Sequence, residues 1–333
     1  MSFINKAVVD VRKPLVEARF PFSRAKSLSD TMTWCATDYY TKASIGGWFE
    51  ARGIVVIGDS RQGKSTEIEM MLKAFNDGTT IMPDGRPGKI ISCLLSGKVT
   101  WKDLGVVILE VLGYPLRGPN SQAEIWSKVR KYAELQGVVG IHFDECQHVF
   151  TAADTATNQK ILDSFKSLLK DHNWPLMLIF SGIPSLATHI KKEEQLDRLL
   201  RVVSFDGIDL SKSEDRDELV HLMFSYADRA GLDIEEFATE DFLQRMAFAA
   251  CLRWGLVIEL LIEAFCLAAV TSNKNCTIDH FSDAFSEISG FAKGYSPFTV
   301  RDYQINFDQA KIMEMIEKTR KKKSPKPKGS PAS

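Results

Sequence analysis

Short apolar runs and longer amphipathic stretches alternate through the middle of this chain. GIVVI (53–57) has no polar break, the pattern of a strand buried on both faces. STEIEMMLKAF (65–75) then sets apolar residues at 68, 71, 72 and 75, one stripe of a helix. The alternation repeats. KIISCLL (89–95), VVGIHF (138–143), PLMLIF (175–180) and VVSF (202–205) read as further strands, with helices over 100–113, 120–136, 155–173 and 185–200. MPDGRPG (82–88) is a turn, and Asn120 or Ser121 caps the helix over 120–136. After Asp209 the strands stop, and 213–230, 239–250, 253–272 and 278–289 all carry helical periodicity.

Strands alternating with helices predict an α/β fold, a five-stranded parallel sheet covered on both faces, followed by a small all-helical domain. The expected division is an N-terminal segment 1–48, an α/β domain 49–209, a helical domain 210–292 and a C-terminal extension 293–333 ending in a disordered basic tail. The PFSR segment near residue 22 shows no evident chemistry.

Composition changes this picture little. The 333 residues are 44% hydrophobic and 26% charged, within the range of globular proteins. The first residues, MSFINKAVVDVRKP, carry charge where a secretory signal needs an apolar core. No run of about 18 uncharged apolar residues suggests a membrane span. Six scattered cysteines without a CxxC pair read as reduced thiols, so a cytoplasmic protein is expected. Charge is more informative. The net value is −1, but Lys318 to Ser333 carries seven positive charges and no acid, so the other 317 residues sum to −8.

The chemistry begins at the end of the first strand. Gly58-Asp59-Ser60-Arg61-Gln62-Gly63-Lys64-Ser65 matches GxxxxGK[ST] in full, between a predicted strand and a predicted helix. Glycines let backbone N–H groups turn inward around phosphates, Lys64 reaches the outer phosphates, Ser65 suits Mg²⁺, and the helix N-terminus favours an anion. Thr66 completes the stretch. ATP with Mg²⁺ is the expected ligand. Asp144 and Glu145 end the strand VVGIHF: Asp144 is placed to hold Mg²⁺ and Glu145 to activate water as general base. His142, Cys146 and His148 flank the pair but match none of the usual zinc spacings, so His142 reads as a packed, hydrogen-bonded core histidine.

GDSRQGKST, HFDECQHVF, FSGIPSL and QLDRLLR together resemble the AAA+ ATPase regulators of DNA transposition, the TnsC/TniB type; GYSPFTV (294–300) is similar to their NPF-like segment, with Ser296 in place of asparagine. The resemblance spans about residues 15–300. It implies a P-loop AAA+ domain and a helical lid. It assigns Ser181 as a sensor of the γ-phosphate and Arg198 or Arg201 as a finger reaching a neighbouring subunit's ATP. It gives Arg253 contact with the γ-phosphate from the lid. It implies ATP-driven self-assembly into rings or helical filaments on duplex DNA, linking a target-selector protein to a transposase. DNA contacts fall to Lys98, Thr100 and Lys102, then Lys128, Arg130 and Lys131. A STAND-type signalling switch, a helicase-loader-like protein and a P-loop kinase are the alternatives. The adjacent DE pair argues against the kinase.

Overall fold

The computed structural model describes residues 4–95, 97, 99–150, 155–270 and 275–323. It divides into two compact units, Phe22–Asp206 and Gly207–Ser333 taken with the first 21 residues. The opening helix α1 (Lys6–Glu17) therefore belongs with the later helices, whereas the sequence suggested one N-terminal segment up to residue 48.

The Phe22–Asp206 unit starts with α2 (Ser23–Ile45), whose buried Leu28, Met32, Cys35 and Tyr39 lie on one helical stripe. Then come β1 (Gly53–Ile57), α3 (Lys64–Phe75), β2 (Lys89–Leu94), α4 (Trp101–Val111) and α5 (Gln122–Leu135). They are followed by β3 (Val138–Asp144), α6 (Thr155–Leu169), β4 (Met177–Gly182), α7 (Ser185–Ile190), α8 (Glu194–Asp197) and β5 (Leu200–Ser204). The five strands form one parallel sheet in the order β2-β3-β4-β1-β5. The central strands are buried along their length, which is why they read as unbroken apolar runs. Both helices after β2 begin in capping boxes: Thr100 with Asp103, and Ser121 with Glu124, which settles the second cap on Ser121.

Close strand packing explains one glycine. A Cβ at Gly53 would stand 2.4 Å from the Leu178 carbonyl and 2.5 Å from a Leu200 methyl, so β1 fits between β4 and β5 only without a side chain there.

The sequence expectation fails at 185–200. The expected helix breaks into α7 and α8, and the fifth strand starts at Leu200 instead of 202. The reason is pairing: β5 joins β1 with Leu200 opposite Gly53 and Arg201 opposite Ile54. Arg201 is therefore an edge-strand residue and does not end a helix.

The second unit holds α1, α9 (Ser213–Ala230), α10 (Glu240–Ala249), α11 (Trp254–Val270), α12 (Ile278–Ser289), α13 (Tyr303–Asn306) and α14 (Gln309–Lys323). Phe242, Phe281 and Phe298 meet at 4.9–5.7 Å between ring centroids in its core. The GYSPFTV segment is part of that core: Ser296 is fully buried and donates to the Ser282 hydroxyl at 2.9 Å, beside Phe298. The basic tail is also corrected in part, because Lys318–Lys323 continue α14, anchored by buried Ile312 and Ile316. Residues 324–333 lie outside the described residues. All six cysteines are buried, and no two of them form a disulfide. No described helix is long and apolar enough to cross a membrane.

Gly53→Ala should lower unfolding stability by about 1–3 kcal/mol through overpacking between β4 and β5. Urea unfolding of the two proteins measures it. A loss near zero would show that these strands part more easily than their packing implies.

Candidate nucleotide site

Three parallel strand ends build the site. The loop 58–63 leaves β1 and wraps the N-terminus of α3, with Gly63 at φ 86° and Arg61 at φ 69°. Both are left-handed conformations, unremarkable for glycine and uncommon for arginine. Gly58 is fixed by proximity, since a Cβ there would lie 2.4 Å from the Phe205 carbonyl. Lys64 is buried, and its Nζ donates to the carbonyls of Gly58 and Asp59 at 2.7 Å each, so the ammonium sits folded over the loop. Thr66 is exposed on the first turn of α3.

The acid comes from β3. Ser65 Oγ donates to Asp144 Oδ2 at 3.1 Å, bringing the two expected Mg²⁺ ligands together. Asp144 Oδ1 accepts the Ser181 hydroxyl at 2.6 Å and the Glu145 backbone N–H at 3.0 Å. The carboxylate is thus oriented from the loop, from β4 and from its own chain. A hydroxyl and a carboxylate are the hard oxygen donors that Mg²⁺ prefers, and this ion ordinarily takes the rest of its shell from water and phosphate. The residues fit the group.

Glu145 adopts φ 55° and ψ 38°. A left-handed non-glycine residue costs about 1–2 kcal/mol, and strain of this kind concentrates at functional positions. Its carboxylate accepts a hydrogen bond from the Gln147 amide, while Gln147 Oε1 accepts the Ile183 N–H at 3.3 Å just beyond β4. Gly182 makes room for that side chain: a Cβ there would stand 2.3 Å from Gln147 Oε1.

Sequence reasoning missed Gln147 and gave no role to Arg24; it expected His142 to be a packed, hydrogen-bonded core residue, and His142 is buried with a partner on each ring nitrogen. His142 Nε2 lies 2.8 Å from Ser181 Oγ, and Nδ1 lies 2.8 Å from Ser92 Oγ. Burial pulls its imidazole down to about 4, against the opposing pull of Asp144, so the ring is neutral near pH 7. Arg24 lies with its guanidinium 3.7 Å over the Phe22 ring, and a terminal nitrogen stands 3.8 Å from where a Gly63 Cβ would be. The only sequence signal for it was an arginine just after PFS.

Arg198 pairs with Glu194 on the exposed face of α8. Arg201 stacks on Trp34 at 3.6 Å. Arg253 immediately precedes α11 in the helical unit, after the left-handed residues Cys251 and Leu252. Of the expected DNA contacts, Lys98 lies outside the described residues. Thr100 is engaged in its capping box. Lys128 Nζ donates to Asn120 at 2.6 Å, and Arg130 pairs with Asp171 at 2.8 Å. Lys102 and Lys131 are exposed on α4 and α5.

Residues 49–190 match the family model described as an AAA domain. The fold is the P-loop AAA+ fold. Solved structures with this fold resemble the chain over most of its length. Cdc6p of Pyrobaculum aerophilum is 10% identical with a TM-score of 0.59, over 98% of this chain and 86% of that one. The ORC1 protein of Aeropyrum pernix, solved in complex with DNA, is 14% identical with a TM-score of 0.56, over 84% and 69%. Drosophila ORC bound to DNA gives 12% and 0.56, over 98% and 83%. At these identities the likeness concerns the AAA+ fold alone. No curated protein matches the chain.

Glu145→Gly should unfold at a higher temperature than Glu145→Ala, by the equivalent of about 1 kcal/mol, because only glycine adopts the left-handed backbone without strain. Thermal unfolding without nucleotide compares them. Equal midpoints would mean that residue 145 is not held left-handed in solution.

Proposed function

We propose that this chain is an ATPase that couples nucleotide state to assembly on duplex DNA, acting as a regulator of transposition. The observation that supports it most is the convergence of Ser65, at the start of α3, with Asp144 and Glu145, at the end of β3, beside a loop whose lysine is already folded inward. The P-loop backbone, Lys64 and the start of α3 hold the phosphates, and Arg24 adds positive charge beside the loop. Ser65 and Asp144 would hold Mg²⁺, which when bound would supply positive charge to offset that of the phosphates. Glu145 takes a proton from the attacking water. Both arginines are exposed, and Arg198 is the better candidate for a finger in trans, because the Arg201 guanidinium is stacked on Trp34. Arg253 is proposed to contact the γ-phosphate from the helical unit.

The transposition reading rests on the DECQH, SGIPS and QLDRLLR motifs, and it names a transposase and a target selector as partners. A replication-loader reading has an observation of its own, since structures of the same fold include ORC proteins solved with DNA. Lys102 and Lys131 are the exposed cations best placed to meet phosphates, so binding should be tolerant of sequence and sensitive to salt.

Glu145→Gln should bind ATP as the wild type does, hydrolyse it at least about a hundredfold more slowly, and remain assembled on duplex DNA. Hydrolysis at the wild-type rate would remove the base assignment. Measuring the wild-type ATPase rate and particle size with duplex, single-stranded and no DNA, at two salt concentrations, separates the readings. Stimulation by duplex supports the transposition regulator, preference for single strands supports the loader, and indifference to DNA supports a signalling switch.

A further inference from the structure

A chain of hydrogen bonds crosses the sheet from its β2 edge to the carboxylate of Asp144. Ser92 on β2 stands opposite His142 on β3, and their side chains meet at 2.8 Å. His142 meets Ser181 on β4 at 2.8 Å, and Ser181 meets Asp144 at 2.6 Å. His142 and Ser181 are 2% and 0% exposed, so water cannot replace a lost partner.

Counting hydrogens fixes the direction of every bond. An ionised carboxylate only accepts, so Ser181 O–H donates to Asp144 Oδ1. Ser181 has no second hydrogen, so His142 Nε2–H must donate to Ser181 Oγ. In a neutral ring Nδ1 then lacks a hydrogen and accepts from Ser92 O–H. One tautomer satisfies every group. The imidazole holds the Ser181 hydroxyl with its hydrogen aimed at Asp144 Oδ1, while Oδ2 faces Ser65.

We propose that His142 is a positioning residue for the Mg²⁺ site: acting through Ser181, it orients the Asp144 carboxylate for the cation. This rests on the reading of Asp144 as the Mg²⁺ ligand. It gives Ser181 a task different from sensing the γ-phosphate, because its single hydrogen is already donated. Hydrogen-bond partners that orient a metal's ligands typically change metal affinity by about 10–100-fold when removed.

The test uses the full chain and a fluorescent ATP analogue, titrated with Mg²⁺ and with excess EDTA. The readout is the gain in nucleotide affinity that Mg²⁺ brings. Ser181→Ala and His142→Leu should each reduce the gain by about tenfold and leave the EDTA affinity unchanged. The double variant should be no worse than Ser181→Ala, since one residue acts through the other. His142→Asn, which keeps a polar group near Ser92 but is too short to reach Ser181, should behave like His142→Leu and serves if that variant fails to fold. His142→Gln, whose amide N–H extends about as far as Nε2–H, should recover most of the gain. The Mg²⁺ dependence of ATP hydrolysis should shift in the same order. A wild-type gain in either His142→Asn or His142→Leu, or losses that add in the double variant, would overturn the inference. Asp144→Asn is the separate control: a gain that survives it removes the ligand assignment itself, and the inference with it.

Discussion

The carboxylate of Asp144 is the point on which the site depends. It ends a strand whose other residues are buried, so it meets solvent only at the edge of the sheet and needs protein partners to fix its orientation. The strand order supplies them. With β4 between β3 and β1, the phosphate loop, Ser181 and the acid pair leave the sheet at adjacent carboxyl ends, where parallel α/β sheets place their ligands. A sheet with β1 beside β3 would keep the same motifs and lose the hydroxyl that now binds Oδ1.

Tight contact at these strand ends costs conformational freedom. Gly58 lies under the Phe205 carbonyl, and Gly182 lies against the Gln147 amide. Glu145 accepts a left-handed backbone that its neighbours hold in place. Gln147 then links Glu145 to the backbone beyond β4. The residues read as metal ligand and base are adjacent in sequence, yet they are oriented by different elements. Asp144 is held through Ser181 and Ser65, and Glu145 through Gln147. One direct link remains between them, the Glu145 N–H that Asp144 Oδ1 accepts.

Much of this was legible. The three central strands stood out because burial on both faces leaves few polar positions to blur them, and the phosphate loop and DE pair are contiguous motifs. What escaped depends on register. Nothing in IHFDE says that His142 will meet Ser92 and Ser181; that follows from β2 and β4 flanking β3. The stretch 185–200 read as one helix, but Leu200 is drawn into pairing with β1, and Arg201 goes with it onto an edge strand. The helix α14 was hidden because lysines dominate its sequence, while Ile312 and Ile316, one turn apart, provide its anchor.

The hydroxyl of Ser181 marks where resemblance and geometry part. A phosphate sensor on this strand needs a donor free to reach the nucleotide, as an asparagine amide with two hydrogens would be. A serine has one, and here a buried imidazole on one side and a carboxylate on the other determine where it points. Turning it toward a phosphate would leave the buried Nε2–H with a rotated acceptor and Asp144 Oδ1 without its shortest bond. The loss of a charge-assisted hydrogen bond, about 1.5–3 kcal/mol, opposes that rotation. The histidine one strand away thus makes this serine a better orienter of the acid than a reader of the phosphate.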